Sequence, residues 1–281
     1  MSVEQQILVG LLRKLKNDTL VLPTLPEAAM QVQEIAGRPD ASLKQVAEII
    51  GHDASMSARL IKVANSVMYS RGAKRADNIN VAVNRIGLDQ IRKIATSIAM
   101  EQLFVSTNEM VWEVMDEVWL TSIEVTAAAG AMLQLYQMRH GKGELDMETL
   151  GLAGLVHNIG ALPVLTEAES HPELFTNVDQ LRAIVRKLQG PLGGAVLKSW
   201  DFSASVMEVV DRWADLHYLP KRVGYIDFIR AAAFYTGELR AGDAFAERMN
   251  VFVERGLPVS PEELDSDTFQ DLYHSIKHSY E

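Results

Sequence analysis

Apolar residues recur every three to four positions along nearly the whole chain, and no stretch of any length alternates strictly between apolar and polar. The first period marks a buried stripe on a helix and the second a buried face of a strand, so the pattern predicts an all-α fold. Val3 to Leu15 form a first amphipathic helix that closes near Asn17-Asp18. Leu20 to Glu27 follows, with Pro23 and Pro26 fixing an extended segment and Thr24 expected to cap a helix running through Met30, Val32 and Ile35 to a stop at Gly37-Arg38-Pro39. Ser42 caps the next helix, with Gln45 three residues on as its reciprocal partner. Asp53 caps a third, Ala54 to Ser66, that turns Met56, Leu60, Ile61 and Ala64 inward.

The later pattern is also helical. Helices are expected at Asn80 to Ile86 and Leu88 to Phe104, divided by Gly87, then over a long span from about Met110 to Met138. The small residues Thr126 to Ala131 in that span permit a close helix approach, as a central element needs. Asp146 starts the helix containing His157, and a further helix begins near Pro163. Leu174 to Leu188 is amphipathic, and Gly190-Pro191-Leu192-Gly193-Gly194 reads as a turn between it and a short helix from Ala195 to Trp200. Asp201 is expected to cap the helix from Ser203 to Leu216, after which come Val223 to Leu239 and Asp243 to Glu254. Pro258 to Pro261 reads as a linker to a last polar helix, Glu262 to His278. There is no repeat at a fixed period and no low-complexity tract.

One stretch combines this apolar pattern with polar chemistry. Gly151-Leu152-Ala153-Gly154-Leu155-Val156-His157-Asn158-Ile159-Gly160 places an imidazole beside an amide at the end of an apolar helix. Polar groups set in such surroundings need hydrogen-bond partners, at a cost of roughly 1–3 kcal/mol for each group left without one.

Composition and charge narrow the functional classes. With 281 residues, 48% hydrophobic and 23% charged, the chain can bury a sizeable core. The start lacks a basic leader, and no uninterrupted apolar run reaches the ~20 residues of a bilayer span, so a cytoplasmic protein with no membrane partner is expected. Zero cysteines exclude disulfides, thiolate metal sites and a cysteine nucleophile. The net charge of −10 argues against nucleic acid as a partner. The small basic groups Arg71, Lys74, Arg75 and Arg182, Arg186, Lys187 read as solvated surface. Neither Ser66 nor Ser122 sits in a nucleophile elbow, and no phosphate loop is present.

Five segments together resemble the HDOD domain, a regulatory relative of the HD-type phosphohydrolases. They are Leu22-Pro23-Thr24-Leu25-Pro26; Ile49 to Met56, with Ala54 where a proline is usual; Leu60 to Ser66, carrying Ala64-Asn65-Ser66; Ile79 to Gly87; and Gly154 to Gly160. Each is weak alone, but the ordered set, spanning roughly residues 15 to 240, is specific. The resemblance implies a small N-terminal helical bundle packed on an HD-like helical core. The corresponding division is an N-terminal helix at 1–15, the bundle at 16–105, the core at 106–240 and a C-terminal helical extension at 241–281.

HD hydrolases hold their metals with a histidine on an early core helix, a His-Asp doublet, further histidines and a late aspartate. Thr121, Asn158 and Ala233 stand where histidine, aspartate and aspartate would be expected, and the downstream helix reads Val210 to His217. Asn158 offers a neutral carbonyl where a bridging carboxylate is required, and threonine and alanine are poor or impossible ligands. The expectation is no dinuclear centre, no cofactor and no phosphohydrolase activity. His157 is the vestigial metal candidate, read as a core histidine satisfied by a backbone carbonyl or by Asn158. The functional expectation is a regulatory module that binds a signalling partner protein or small ligand, with Asn65, Ser66, Tyr69, Arg71, His157 and Asn158 as candidate cleft residues. A C-cap role is the competing reading for Asn65. The alternative is a divergent phosphohydrolase keeping one metal through His157 with Asp211 or Asp215. The pattern leaves the oligomeric state open.

Overall fold

The computed structural model describes the whole chain except Met1, Ser2, Asp18, Pro39, Arg71, Lys142, Ala241 and Glu281, and describes the backbone alone at Val3, Glu4, Val67, Met68 and Asp243. The described residues form helices and turns with no strand. In chain order the helices are α1 (Val3–Lys16), α2 (Glu27–Ala36), α3 (Leu43–Gly51), α4 (Ala54–Ala64), α5 (Val67–Ser70), α6 (Ile79–Ile86), α7 (Leu88–Met100) and α8 (Glu109–His140). They continue as α9 (Met147–Val156), α10 (Ala161–Ser170), α11 (Val178–Ser199), α12 (Ala204–Arg212), α13 (Tyr225–Tyr235), α14 (Phe245–Glu254), α15 (Pro261–Leu264) and α16 (Asp267–Tyr280). The contacts divide the chain into a first unit, residues 1–24 and 104–274, and a second, residues 25–103 with 275–281.

In the second unit, capping fixes where helices begin. Ser42 and Gln45 cap α3 reciprocally, and Asp53 accepts the Met56 N–H at 2.9 Å at the start of α4. Asn78 does the same for α6. Thr24 does not cap α2: its N-cap is Pro26, which has no side-chain acceptor, so the fixed proline φ alone launches that helix. Val32, Val46, Ile50, Met56, Leu60 and Ile91 fill the core, where α2 packs on α7 and α3 and α4 pack on α6.

The first unit is built on α8. Its buried residues run from Val111 to Leu133 and, in the alanine-rich part, cover every side of the helix. That is the pattern of a helix enclosed by neighbours. α9, α10, α11 and α13 pack around it. Glu109–His140 and Met147–Ser170 are long and apolar enough to span a membrane by length and composition, which a count of uninterrupted apolar runs misses. Inside the protein, 67% and 94% of those apolar windows are buried, so their apolar character serves the core.

Three expectations for this unit are corrected. First, Gly190 to Gly194 is not a turn: α11 continues through Pro191 to Ser199. Gly193 and Gly194 are close-approach positions, whereas Gly190 has open space around it. A Cβ at Gly193 would come within 2.5 Å of Val210 Cγ1, and one at Gly194 would overlap the Asp211 carboxylate. Packing of α11 on α10 and α12 therefore outweighs the local breaking tendency of Gly and Pro. Second, Asp201 does not cap α12. It takes φ 55 in the turn after α11, and Ser203 stands at the N-cap. Third, Pro258 and Val259 are buried, so the first half of the segment read as a linker is part of the core.

The last helical region breaks at Asp265-Ser266 into α15 and α16. It packs on its own core through Phe269, whose ring meets Tyr235 edge-on at 5.3 Å, and through a hydrogen bond from Tyr273 to Glu124.

Candidate functional site

The polar pair lies in the tight turn that joins α9 to α10. Two glycines draw this turn into the middle of the first unit. A Cβ at Gly154 would come within 3.0 Å of Thr126 Cα, so glycine lets α9 close on the small-residue face of α8. A Cβ at Gly160 would overlap the Gln189 carbonyl and come within 2.5 Å of the Gly193 nitrogen. Glycine is therefore needed where the turn meets α11. His157 and Asn158 sit between these approaches and are buried, at 0% and 1% exposed.

Asn158 is engaged at both ends of its amide by α8. Its Nδ2 donates to the Val118 carbonyl at 3.2 Å. Ser122 Oγ lies 2.9 Å from Asn158 Oδ1 and 2.9 Å from the Val118 carbonyl, with one proton to donate between them. Thr121, the residue aligned by motif with a hydrolase histidine, is half-buried; its neighbour Ser122 is the side chain that meets residue 158.

His157 is held on one side. Nδ1 lies 2.6 Å from the Gly154 carbonyl, an arrangement that places the proton on Nδ1 and leaves Nε2 as a bare acceptor. Nε2 is buried and has no hydrogen-bond partner. Burial pushes the imidazole pKa down from its ordinary 6.5, against the opposing pull of the Glu238 charge and the Gly154 carbonyl, so the ring is neutral near pH 7. Gln189 in turn donates to Glu238 at 3.1 Å.

The ring facing His157 is Trp213, edge-on at a centroid distance of 4.6 Å and an interplanar angle of 87°. Its Nε1 is also buried without a partner. The Trp213 backbone is anchored by Arg230, whose Nε donates to its carbonyl at 3.0 Å and whose other nitrogens reach the carbonyls of Arg212, Asp215 and Tyr218. Burial pushes the Arg230 pKa down, against the charges of Asp227 and Asp215. Beside it, Arg255 Nε lies 2.9 Å from Asp227 Oδ1. Burial pushes the Asp227 carboxyl up, against the Gly224 N–H and Arg255.

These residues do not suit the dinuclear metal centre of the HD hydrolases. The amide of Asn158 is occupied by Val118 and Ser122, Ala233 has no donor atom in its side chain, and the His157 ring packs against an indole. Asp215 accepts the His217 N–H at 3.1 Å and pairs with Arg212 at 3.3 Å, while Asp211 is exposed beside Gly194. Among the described residues, no three His, Asp or Glu side chains are grouped to hold an ion.

The remaining candidates belong to the second unit. Asn65 is the C-cap of α4, and its amide grips Ala76 from both sides: Nδ2 donates to the Ala76 carbonyl at 2.8 Å and Oδ1 accepts the Ala76 N–H at 2.7 Å. Arg85 Nη1 adds bonds to Asn65 Oδ1 at 3.2 Å and the Ala64 carbonyl at 3.0 Å. Ser66 and Tyr69 are half-buried nearby, and Arg71 lies outside the described residues. Motif reading brought out His157, Asn158 and Asn65. It missed the roles of Ser122, Gln189, Trp213, Arg230 and Glu238, which reach their places from helices and turns distant in sequence.

The described residues thus form an all-helical module with a polar doublet buried on a helix-to-helix turn. The sequence profile of the HDOD domain matches residues 22–215, and the chain belongs to that family. A crystal structure of a candidate metal-dependent phosphohydrolase from Shewanella amazonensis SB2B is 71% identical, with 100% of each chain covered and a TM-score of 0.95. An HDOD domain protein of unknown function from Geobacter sulfurreducens shares the fold at 20% identity, with 98% of each chain covered and a TM-score of 0.61. An uncharacterized protein of Treponema pallidum (strain Nichols) is 22% identical over 231 residues, 78% of this chain, which spans 42% of that relative's length.

Proposed function

We propose that the protein is a non-enzymatic regulatory module of the cytoplasm that binds a signalling partner protein or a small ligand. The observation that carries this reading is the state of residue 158. An amide stands in the doublet where hydrolysis would need a carboxylate, and both its ends are engaged by Ser122 and Val118. An HD-type reaction needs a metal to polarise phosphate and activate water, and the donors for that metal are replaced here. What persists is the helical scaffold, whose surface is available for recognition. In the second unit we assign the Asn65–Tyr69 segment to that surface, with Asn65 as its structural anchor and Ser66 and Tyr69 as its contact side chains.

The name of the 71% identical Shewanella protein favours a second reading, metal-dependent phosphoester hydrolysis. The two are separated by incubating the purified full chain with Mn2+, Ni2+, Fe2+ or Zn2+ and assaying nucleotides and a generic phosphodiester. The regulatory reading expects no turnover above buffer. Metal-dependent turnover that disappears in a His157→Ala variant would establish the hydrolase instead. Ser66→Arg and Tyr69→Ala are then expected to weaken capture of a partner from the native cell extract without changing the melting temperature.

A further inference from the structure

His157 carries a lone pair that nothing in the fold uses. With the proton on Nδ1 directed at the Gly154 carbonyl, Nε2 is the nucleophilic nitrogen, and it is buried without a partner. An imidazole in that state is a competent ligand for a metal or an electrophile, so what keeps it inert is access. The ring packed against it is Trp213. Its indole meets the imidazole edge-on at 4.6 Å and is 2% exposed. The indole Nε1–H is unpartnered as well, so shape and not hydrogen bonding holds the two rings together. The backbone behind the indole is fixed by Arg230, which is 3% exposed and donates to the carbonyls of Arg212, Trp213, Asp215 and Tyr218. Displacing this turn would strand a buried guanidinium.

We propose that Trp213 is a plug: its indole closes the Nε2 face of His157 and bars small electrophiles and divalent ions from it, with Arg230 as the positioning residue that seats the plug. The plug deepens the non-enzymatic reading by naming what closes the site. It stands or falls on access to His157 and not on activity.

Diethylpyrocarbonate, which acylates a bare imidazole nitrogen, reads that access in the intact chain. Modification is followed peptide by peptide by mass spectrometry, with the exposed His52, His140 and His217 as internal references. In the unaltered chain His157 stays unlabelled while the references are consumed. In Trp213→Ala its labelling rate rises by an order of magnitude or more. Trp213→Phe and Trp213→Leu cover the case in which the alanine variant does not fold, and labelling is expected to increase from Trp to Phe to Leu. Labelling of His157 alongside the references in the unaltered chain, without EDTA, overturns the plug and leaves the non-enzymatic reading standing. Full protection in a natively folded Leu or Ala variant does the same. Protection of the unaltered chain that vanishes in EDTA would assign the closure to a bound metal and overturn both.

Discussion

Two asparagines, each inside a family motif, have opposite surroundings. Asn65 ends a helix and folds the chain back on itself: its amide meets both backbone groups of Ala76, and Arg85 shares its oxygen. Polar capacity there is matched within a few residues and one neighbouring helix, so the motif specifies structure. Asn158 is also bonded at both ends, through Ser122 and Val118, yet the residue beside it has an unpartnered buried nitrogen and packs on an indole whose own nitrogen is unpartnered. A motif residue with its bonds closed locally reads as architecture, whereas an orphaned buried atom beside the other calls for a partner that the described residues do not supply.

The sharpest way to break this comparison is to remove the wedge. Trp213→Ala empties a fully buried indole site and is expected to destabilise the fold by about 3–5 kcal/mol in denaturant unfolding. A cost below about 1 kcal/mol would mean that Trp213 is not a packed core residue.

Next is the same atom exchange at both asparagines. Asn158→Asp buries a carboxylate facing the Val118 carbonyl with no cation in its hydrogen-bond set, at about 3 kcal/mol near pH 8. Burial raises that carboxyl above its unfolded value of about 3.9, so the penalty is absent below that pH and grows as pH rises toward the folded value. The variant should therefore approach the unaltered chain in stability only below about pH 4, as followed by urea midpoints. Asn65→Asp keeps the acceptor for Ala76 and Arg85 and loses one donated bond, for about 1 kcal/mol and little pH dependence above about pH 5, where the carboxylate beside Arg85 stays charged. Equal costs at the two positions would erase the distinction drawn between them.

The smallest effect is a control outside both motifs. Arg139 pairs with Glu263 on the surface, and Arg139 is half exposed. Burial tends to raise the Glu263 carboxyl, but the Arg139 guanidinium and the Ser260 N–H hold it below its ordinary 4.5. The stabilisation is thus present above pH 4.5 and is lost as pH falls through the lowered folded value. Arg139→Ala should cost under about 1 kcal/mol at neutral pH, given solvent screening, and nothing in strong acid.

Much of the architecture was legible in the amino-acid pattern because it depends on local rules. The caps at Ser42, Asp53 and Asp146 are side chains bonding to backbone three residues away, a spacing visible in one dimension. Gly190 to Gly194 misled because a glycine placed for close helix approach looks in sequence like a glycine placed for a turn; only Val210 and Asp211, brought up by α12, distinguish the two. The site divides in the same way. His157 and Asn158 announce themselves as a doublet, but Ser122, Gln189, Trp213 and Glu238 converge from separate elements without a shared periodicity. Trp213 was hidden further, since a tryptophan at a helix end reads as ordinary core.

The most direct test of the central claim is the metal content of the purified full chain after exposure to Mn, Fe, Ni and Zn and extensive dialysis. The account predicts far less than one ion per chain and an unshifted melting temperature. One tightly held ion per chain, lost in His157→Ala, would contradict it.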